Sequence, residues 1–292
     1  MSILQNKIDF ALIFTATNAN PNGDPLGGNR PRTTSDGFGE VSDVCLKRKM
    51  RNRLLAEGKD IFVRVQEDLE AEGYAHLTEK FKKNIDEKKK KSEKFKDVCE
   101  RWFDVRAFGQ VFAISGTKKS KRTDSDDSAE STDAVSLGVR GPVTIQSAFS
   151  VEPVVIESNQ IVKSVSGEAP KTEGGKSSDT MGMKHRVAGK AVYATYGSIS
   201  PQLAEKTGFS DEDAEAVKNA LATLFEGDES SARPSGSMEV VKLIWFKHNS
   251  KNGQYPSAKV HRSVKARFDK DNDVVDVTID KLEGLEPEII EG

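Results

Sequence analysis

Cysteine is almost missing: Cys45 and Cys99 are the only two in 292 residues, too few and too separated for a disulfide framework or a cysteine-held zinc site. That usage fits a reducing compartment, and a cytoplasmic protein is expected. Histidine is scarce as well. His76, His185, His248 and His261 show no metal-ligand spacing and no obvious general-base partner, so no metal, no cofactor and no catalytic residue is expected. No run approaches the ~18 apolar residues of a membrane span, and the N-terminus lacks a basic region followed by a long apolar core. A soluble, unsecreted chain without membrane contact follows. An excess of either charge is also lacking, with 44 basic against 46 acidic residues. The balance is local, however: residues 269–292 carry nine acidic residues and two lysines, a net of −7, which leaves +5 on residues 1–268. The length fits two domains, or one mixed domain with insertions.

What is present concentrates at Asn18 to Leu55. An apolar strand, Ile8 to Thr17, runs into a loop reading N-A-N-P-N-G-D-P-L-G-G-N-R-P-R, and a helix follows with five basic residues. In the strand Ile8, Phe10, Leu12 and Phe14 alternate with a partly apolar second set, which predicts a central position in a sheet. Asn20, Asn22 and Asn29 offer amide donors, Gly23, Gly27 and Gly28 let a backbone approach a ligand closely, and the prolines stiffen the loop. Arg30 and Arg32 add charge. Ser42 is the predicted N-cap of the helix, with Asp43 at the positive end of its dipole. Val41, Val44, Cys45 and Leu55 share one face and Leu46, Met50 and Leu54 the opposite one, which predicts burial from two sides. Lys47 with Arg51 and Lys49 with Arg53 then form like-charge i,i+4 pairs on the flanks. Such pairs suit a passing phosphate chain, with Arg48 beside them; a solvated basic helix softened by Asp43 and Glu57 is the alternative.

N-P-N-G-D-P, then N-R-P-R and D-V-C-L-K-R-K-M-R-N-R-L, resembles the start of the multi-copy backbone subunit of the type I-C CRISPR surveillance complex, Cascade. D-V-R-A-F-G-Q-V-F (Asp104 to Phe112), V-R-G-P-V (Val139 to Val143) and M-G-M-K-H-R-V (Met181 to Val187) continue the resemblance over nearly the whole chain. It implies an α+β fold, an RNA-recognition-motif-like (ferredoxin-like) palm with inserted helical fingers and an extended thumb. It implies a guide-RNA-binding subunit that polymerises along the CRISPR RNA and presents it for pairing with target DNA in antiviral defence. The implied partners are the guide RNA, target DNA through the guide, other copies of the chain, the guide-end-binding and large Cascade subunits, and indirectly a recruited helicase-nuclease.

The remaining segments are read around that frame. Residues 59–110 form the finger insertion, mostly helical from Asp60 to Lys96, with a broken stripe of Val65, Leu69, His76, Leu77, Phe81 and Ile85. Its end, residues 78–96, holds nine lysines and four acidic residues, either a solvated face or an arm that tracks a second strand. Phe103, Phe108 and Phe112 surround Arg106 and Gly109. Phe108 is a candidate stacking platform as well as a candidate core residue, and Gly109 a place where a ligand comes close. Residues 115–136 are read as disordered. Val143, Ile145, Ser147, Phe149 and Val151 alternate as one strand. Residues 155–189 form an excursion of two strand arms with a flexible tip, matching the thumb, which in the family folds over the guide and forces a base out at intervals. Met181 and Met183 are candidates for the apolar wedge, with Lys184, His185 and Arg186 on the phosphates; packing of both methionines in the core is the alternative. Ser210 with Asp213 predicts a capping box, ahead of a stripe of Ala214, Val217, Leu221, Leu224 and Phe225. Met238 to Lys247, Val260 to Phe268 and Val274 to Ile279 are predicted strands. The order strand, helix, strands, helix, strand is the ferredoxin-like pattern.

Two enzymatic readings are weighed and set aside. Pro170 to Ser177 comes within one residue of a phosphate-binding G-x-x-x-x-G-K-[ST], but Pro170 replaces the first glycine and no strand–helix context surrounds it. A metal-dependent endoribonuclease of the same fold would use Asp24 or Asp36; the resemblance is to the branch that recruits a separate nuclease.

Overall fold

The apolar segment Ile8–Thr17, strand β1, is paired along both edges and buried on both faces, and the other elements are arranged around it. The structure is a computed structural model that describes residues 2–86, 88–112, 136–162 and 180–292, the last span with side chains from residue 182 onward. After β1 come a small hairpin, β2 (Gly23–Asp24) with β3 (Arg30–Pro31), then β4 (Phe38–Val41) and helix α1 (Asp43–Ala56). Helices α2 (Gln66–Ala71), α3 (Leu77–Asn84), α4 (Lys91–Arg101) and α5 (Phe103–Phe108) precede strands β5 (Gly109–Phe112) and β6 (Leu137–Arg140). Strands β7 (Val143–Ile145), β8 (Ala148–Pro153), β9 (Ile156–Val162), β10 (Thr180–Val187) and β11 (Lys190–Ile199) lead to α6 (Pro201–Thr207) and α7 (Asp211–Ala222). The chain closes with β12 (Met238–Lys247), α8 (Ser257–Ser263), β13 (Val264–Asp269), β14 (Val274–Ile279) and β15 (Glu288–Glu291).

The main sheet is mixed with helices in sequence but antiparallel throughout its recorded pairs, in the order β15-β12-β1-β11-β8-β4, with β7 also on β11. Leu12 in β1 stands opposite Thr195 on one side and Leu243 on the other. On one face Phe10, Leu12 and Phe14 meet Leu46, Met50 and Leu54 of α1 and Val217 and Leu221 of α7. There Phe10 stacks on Trp245 at 5.5 Å and Phe14 on Tyr193 at 5.3 Å between ring centres. On the other face Ala11, Ile13, Ile244 and Phe246 are covered by α8 and the β13–β14 hairpin. Each buried side chain of this size contributes about 1.5–3 kcal/mol, so covering the second face is a large part of the stability. A second apolar cluster joins Phe62, Phe81, Val98, Trp102 and Phe112 with Leu137 and Val139, and holds α3, α4, β5 and β6 together. Among the described residues no helix is long and apolar enough to cross a membrane.

Several expectations are met at the level of single residues. Ser42 accepts from the Cys45 amide as the α1 N-cap, and Ser210 and Asp213 form the reciprocal capping box of α7. Others are corrected. Burial of α1 from two sides is met only in part: Leu46, Met50 and Leu54 are fully buried, and of the opposite face Val41 is buried and Cys45 and Leu55 are half-buried against the core, while Val44 is 71% exposed. The stretch from Asp60 to Lys96 is three short helices, with breaks at Gly73 in the left-handed region and at Ile85 in extended geometry. The alternating strand from Val143 is interrupted at Gln146–Ser147, which shifts its phase by one residue; Ala148 and Ser150 turn inward and Phe149 outward. Val260 to Ser263 is helix, with Val260 packed under the sheet, and β13 begins only at Val264. Strands β9 and β10 pair as the two arms of the excursion. Its tip, the near-miss phosphate loop at Pro170 to Ser177, and the low-complexity segment at 115–136 apart from Ser136 lie outside the described residues.

Candidate nucleic-acid interface

The Asn-rich loop is held rigidly by its own polar groups. The buried Asn20 receives the loop into place twice, its amide N–H donating to the Ala232 carbonyl at 2.9 Å and its Nδ2 to the Asn29 carbonyl at 2.8 Å. Asn22 Oδ1 accepts from both the N–H and the Oγ of Ser42 at 2.9 Å each, which ties the loop to the start of α1. These two amides therefore serve the loop itself, a use that donor counting in the sequence does not distinguish from ligand binding. Asn29 adopts φ 62°, and its side chain lies over Gly23, where a Cβ would stand 1.9 Å from Asn29 Oδ1 and push that amide aside. Asp24 accepts from the Leu26 N–H at 3.3 Å and pairs with Arg32 at 3.4 Å, while Asp36 is exposed.

All five basic residues of α1 have partners in the chain, which corrects the picture of two bare cationic flanks. Lys47 pairs with Asp43 at 3.0 Å, and Arg48 Nη1 donates to the Val63 carbonyl at 2.8 Å. Burial, helped by the neighbouring Arg51 charge, lowers the Arg48 pKa. Lys49 is buried against Asp228, and burial lowers its pKa despite that carboxylate. Arg51 Nε donates to Asp104 at 2.9 Å with its guanidinium 5.2 Å from the Phe108 ring centre, and Arg53 meets Glu226 at 3.1 Å. The like-charge pairs are thus relieved by acids from α5 and from the turn after α7. Gly109 allows a close approach to a strand: at φ 82° a Cβ would lie 2.4 Å from the Val139 carbonyl oxygen of β6.

The excursion and the Asn loop meet in a cleft of about 320 Å³ lined by Asn20, Asn29, Ile161, Met183, Lys184, His185, Ser231 and Ala232. Backbone bonds lock its base: Val187 N–H donates to the Ala19 carbonyl and Asn18 N–H to the Gly189 carbonyl, both at 2.8 Å. The third wall is fixed from below, because Asp228 binds both Lys49 and Arg233, the latter at 2.8 Å. Across the arm His185 Nδ1 meets Ser158 Oγ at 2.8 Å and Arg186 meets Glu157 at 2.9 Å. Met183 is 51% exposed, so it does not pack in the core. Lys184 is half-buried and Arg30 exposed, and neither has an acidic partner among the described residues. Asn20, which lines the cleft, has its Oδ1 buried with no hydrogen-bond partner among the described residues.

The structure thus gathers Asn20, Asn29, Met183, Lys184 and His185, with Arg30 beside Asn29 in the same hairpin. It places Lys47, Arg48, Arg51, Phe108 and Gly109 elsewhere, with Arg51 against Asp104 and Phe108 of α5, and the Met181 side chain is outside the described atoms. Sequence reasoning missed Ser231, Ala232 and their support, Asp228 and Arg233; the turn-like S-S-A-R-P-S-G from Ser230 was the available signal. It also missed a buried polar site. His248 Nε2 lies 2.9 Å and His261 Nε2 3.7 Å from Asp9, which Lys7 also meets at 2.9 Å. The Gln254 N–H donates to His248 Nδ1 at 2.9 Å, so Nε2 carries the proton and donates to Asp9. Burial opposes ionisation of Asp9, but these hydrogen bonds outweigh it and hold its pKa below the usual carboxylate value. Among the described residues no cluster of three or more His, Cys, Asp or Glu side chains is arranged to hold a metal ion.

The chain matches the family model described as CRISPR-associated protein Cas7 over residues 6–282. It is 28% identical over 222 residues to a CRISPR-associated protein Cas7 from Haloferax volcanii, a match that covers 73% of this chain and 62% of the relative. The chain therefore spans less than two thirds of that relative's length. One solved structure similar to it is a CRISPR RNA-guided surveillance complex in a pre-nicking state, with TM-score 0.49 and 16% identity, covering 82% of this chain and 78% of that one. Another CRISPR RNA-guided surveillance complex gives TM-score 0.39 and 17% identity, covering 82% and 68%. On the family match over residues 6–282, this chain belongs to the CRISPR-associated protein Cas7 family.

Proposed function

We propose that the chain is the guide-RNA-binding backbone subunit of a type I-C CRISPR surveillance complex, acting in the cytoplasm, without catalysis of its own. Several copies line up along one guide and present it to target DNA, beside guide-end-binding and large subunits that recruit a helicase-nuclease. The observation that carries this reading is the cleft: a soft apolar wall of Ile161 and Met183 faces polar Asn29 and Ser231, with Lys184 and Arg30 lacking acidic partners among the described residues. Such a site offers a surface for a base plane and charge for the phosphates on either side. The antiparallel order β12-β1-β11-β7, with α1 and α7 packed on one face, supports a recognition-motif-like palm. Helices α2–α5 then correspond to the fingers, and the β9–β10 arm, through Met181 and Met183, to the thumb. Because phosphate contacts position without specifying, binding is indifferent to RNA sequence. Arg30→Ala with Lys184→Ala should weaken binding of mixed-sequence RNA and lower its salt slope by up to ~0.7 for each lost contact. Unchanged affinity and slope, or strong preference for one sequence, would overturn the reading.

A further inference from the structure

Asn20 is 3% exposed, yet its side-chain oxygen has no hydrogen-bond partner among the described residues. A buried carboxamide oxygen in that state is uncommon in a folded protein and calls for a partner that completes it. The amide has no freedom to turn away. Its nitrogen faces the Asn29 carbonyl at 2.8 Å, and a carbonyl only accepts, so the NH2 group lies on that side and Oδ1 on the other. The main chain is pinned as well, with the Asn20 N–H on the Ala232 carbonyl at 2.9 Å and Arg233 Nη1 donating to the Asn20 carbonyl at 3.5 Å. A fixed acceptor therefore belongs to a residue that lines the cleft of about 320 Å³, and neither Lys184 nor Ser231 of the same cleft donates to it. The donor it lacks has to arrive with the occupant of the cleft.

We infer that Asn20 Oδ1 accepts a hydrogen bond from a ribose 2′-hydroxyl, and that this bond makes the cleft select RNA over DNA. The inference rests on the guide-binding reading and adds to it the residue that distinguishes the sugar. A nucleic acid offers donors in two places only, the base N–H groups and, in RNA, the 2′-hydroxyl; its phosphodiesters only accept. The base donors sit at different positions on the four bases, largely on the edge that a guide keeps free for its target, so one fixed acceptor does not suit them. The hydroxyl recurs in the same place on every nucleotide of RNA and is absent from DNA. It therefore suits a site that reads no sequence. Arg30 and Lys184 cannot make the same distinction, because the phosphates they attract are common to both nucleic acids.

The test measures binding of the full chain to mixed-sequence strands of RNA, of DNA, and of RNA carrying a 2′-deoxy, 2′-fluoro or 2′-O-methyl sugar at single successive positions. Loss of the hydroxyl at a contacted position should weaken binding roughly tenfold, the scale of one bond to a buried acceptor, and leave the salt slope unchanged because the lost group is neutral. The 2′-fluoro sugar should be as weak as the deoxy one, since it keeps the pucker of ribose but donates nothing. Asn20→Ala should lower the affinity for RNA and abolish the further loss on deoxy substitution. Asn20→Asp, which keeps an acceptor, should retain that loss although its charge weakens binding of either strand. Where the alanine variant disturbs the loop, the sugar series on the unaltered protein still decides. Equal affinity for RNA and DNA would overturn the inference, as would 2′-fluoro sugars that bind as tightly as ribose, which would make pucker the discriminator, or a deoxy penalty that persists in Asn20→Ala. Failure of the unaltered protein to bind either strand would instead sink the guide-binding reading itself.

Discussion

Removing Asp104 should be among the most damaging single changes in the chain. Its carboxylate is fully buried and accepts from Phe62 N–H at 2.7 Å, Val63 N–H at 3.1 Å and Arg51 Nε at 2.9 Å, so it ties the start of the finger segment and helix α1 to α5. Asp104→Ala strands two amide donors and leaves the Arg51 guanidinium, 12% exposed, without its counter-charge. An unmade hydrogen bond at a buried group costs about 1–3 kcal/mol, and breaking a buried ion pair by removing one partner costs about 3–5 kcal/mol. Since the three losses overlap, a total near 4 kcal/mol is expected, against a typical domain stability of about 5–15 kcal/mol. Asp104→Asn keeps one acceptor and should lose about half as much. Urea unfolding followed by tryptophan fluorescence measures this directly, because Trp102 lies beside the site. Arg51→Met in the Asp104→Ala background should cost less than the two single changes added together, as the stranded charge is then gone. A loss below about 1 kcal/mol for Asp104→Ala, or strict additivity in the cycle, would refute the assignment of Arg51 to this internal pair and return it to the RNA.

Three further outcomes are expected. Gly109→Ala forces a Cβ to 2.4 Å from the Val139 carbonyl oxygen at φ 82°, and should destabilise by at least about 2 kcal/mol in the same urea assay. His261 has its pKa lowered from 6.5 by burial, only partly offset by its bond to the Gly197 carbonyl and the charge of Asp9, so the unfolded chain takes up the proton first and stability should fall as pH drops below about 6.5. Asp9, with a depressed pKa, adds a second loss below the ordinary aspartate value of 3.8, and His261→Gln should remove the first phase alone in pH-dependent melting. Burial pushes the Cys99 thiol up to about 12, so at pH 8 it should resist iodoacetamide in the folded protein and react on unfolding, as followed by mass spectrometry.

Local signals were legible in the sequence where one residue answers to its near neighbours. Ser42, the Ser210–Asp213 box, the double-faced strand at Ile8 and the stripe from Ala214 to Phe225 all depend on spacing along one element. Pairing between distant segments was not. Nothing near Arg51 announces that Asp104 lies against it, and nothing near Lys49 announces Asp228, so a helix whose charges are satisfied in the fold read as a bare cationic surface. The candidate cleft was half visible for the same reason: Asn29, Lys184 and His185 belong to distinctive motifs, whereas Ser231 and Ala232 lie in an ordinary turn that the Asp228–Arg233 pair brings to the rim. The outward turn of Phe149 followed from a break at Gln146–Ser147 that alternation alone does not reveal.

The placement of β1 has a consequence for biosynthesis. Its ten residues leave the ribosome well ahead of their two hydrogen-bonding neighbours, β11, beginning at Lys190, and β12, beginning at Met238. At about 5–20 residues per second, the strand waits roughly 10–45 seconds for its second partner. Until β11 and then helix α7 emerge, Phe10, Leu12, Ile13 and Phe14 have neither a sheet neighbour nor a helix to cover them, and contacts this distant in sequence form slowly even afterwards. The cleft follows the same schedule, since Ala232 must pair with Asn20 before its rim exists. A nascent chain is therefore open to aggregation while the segments between β1 and β12 are made, and the candidate cleft is incomplete until Ala232 has emerged.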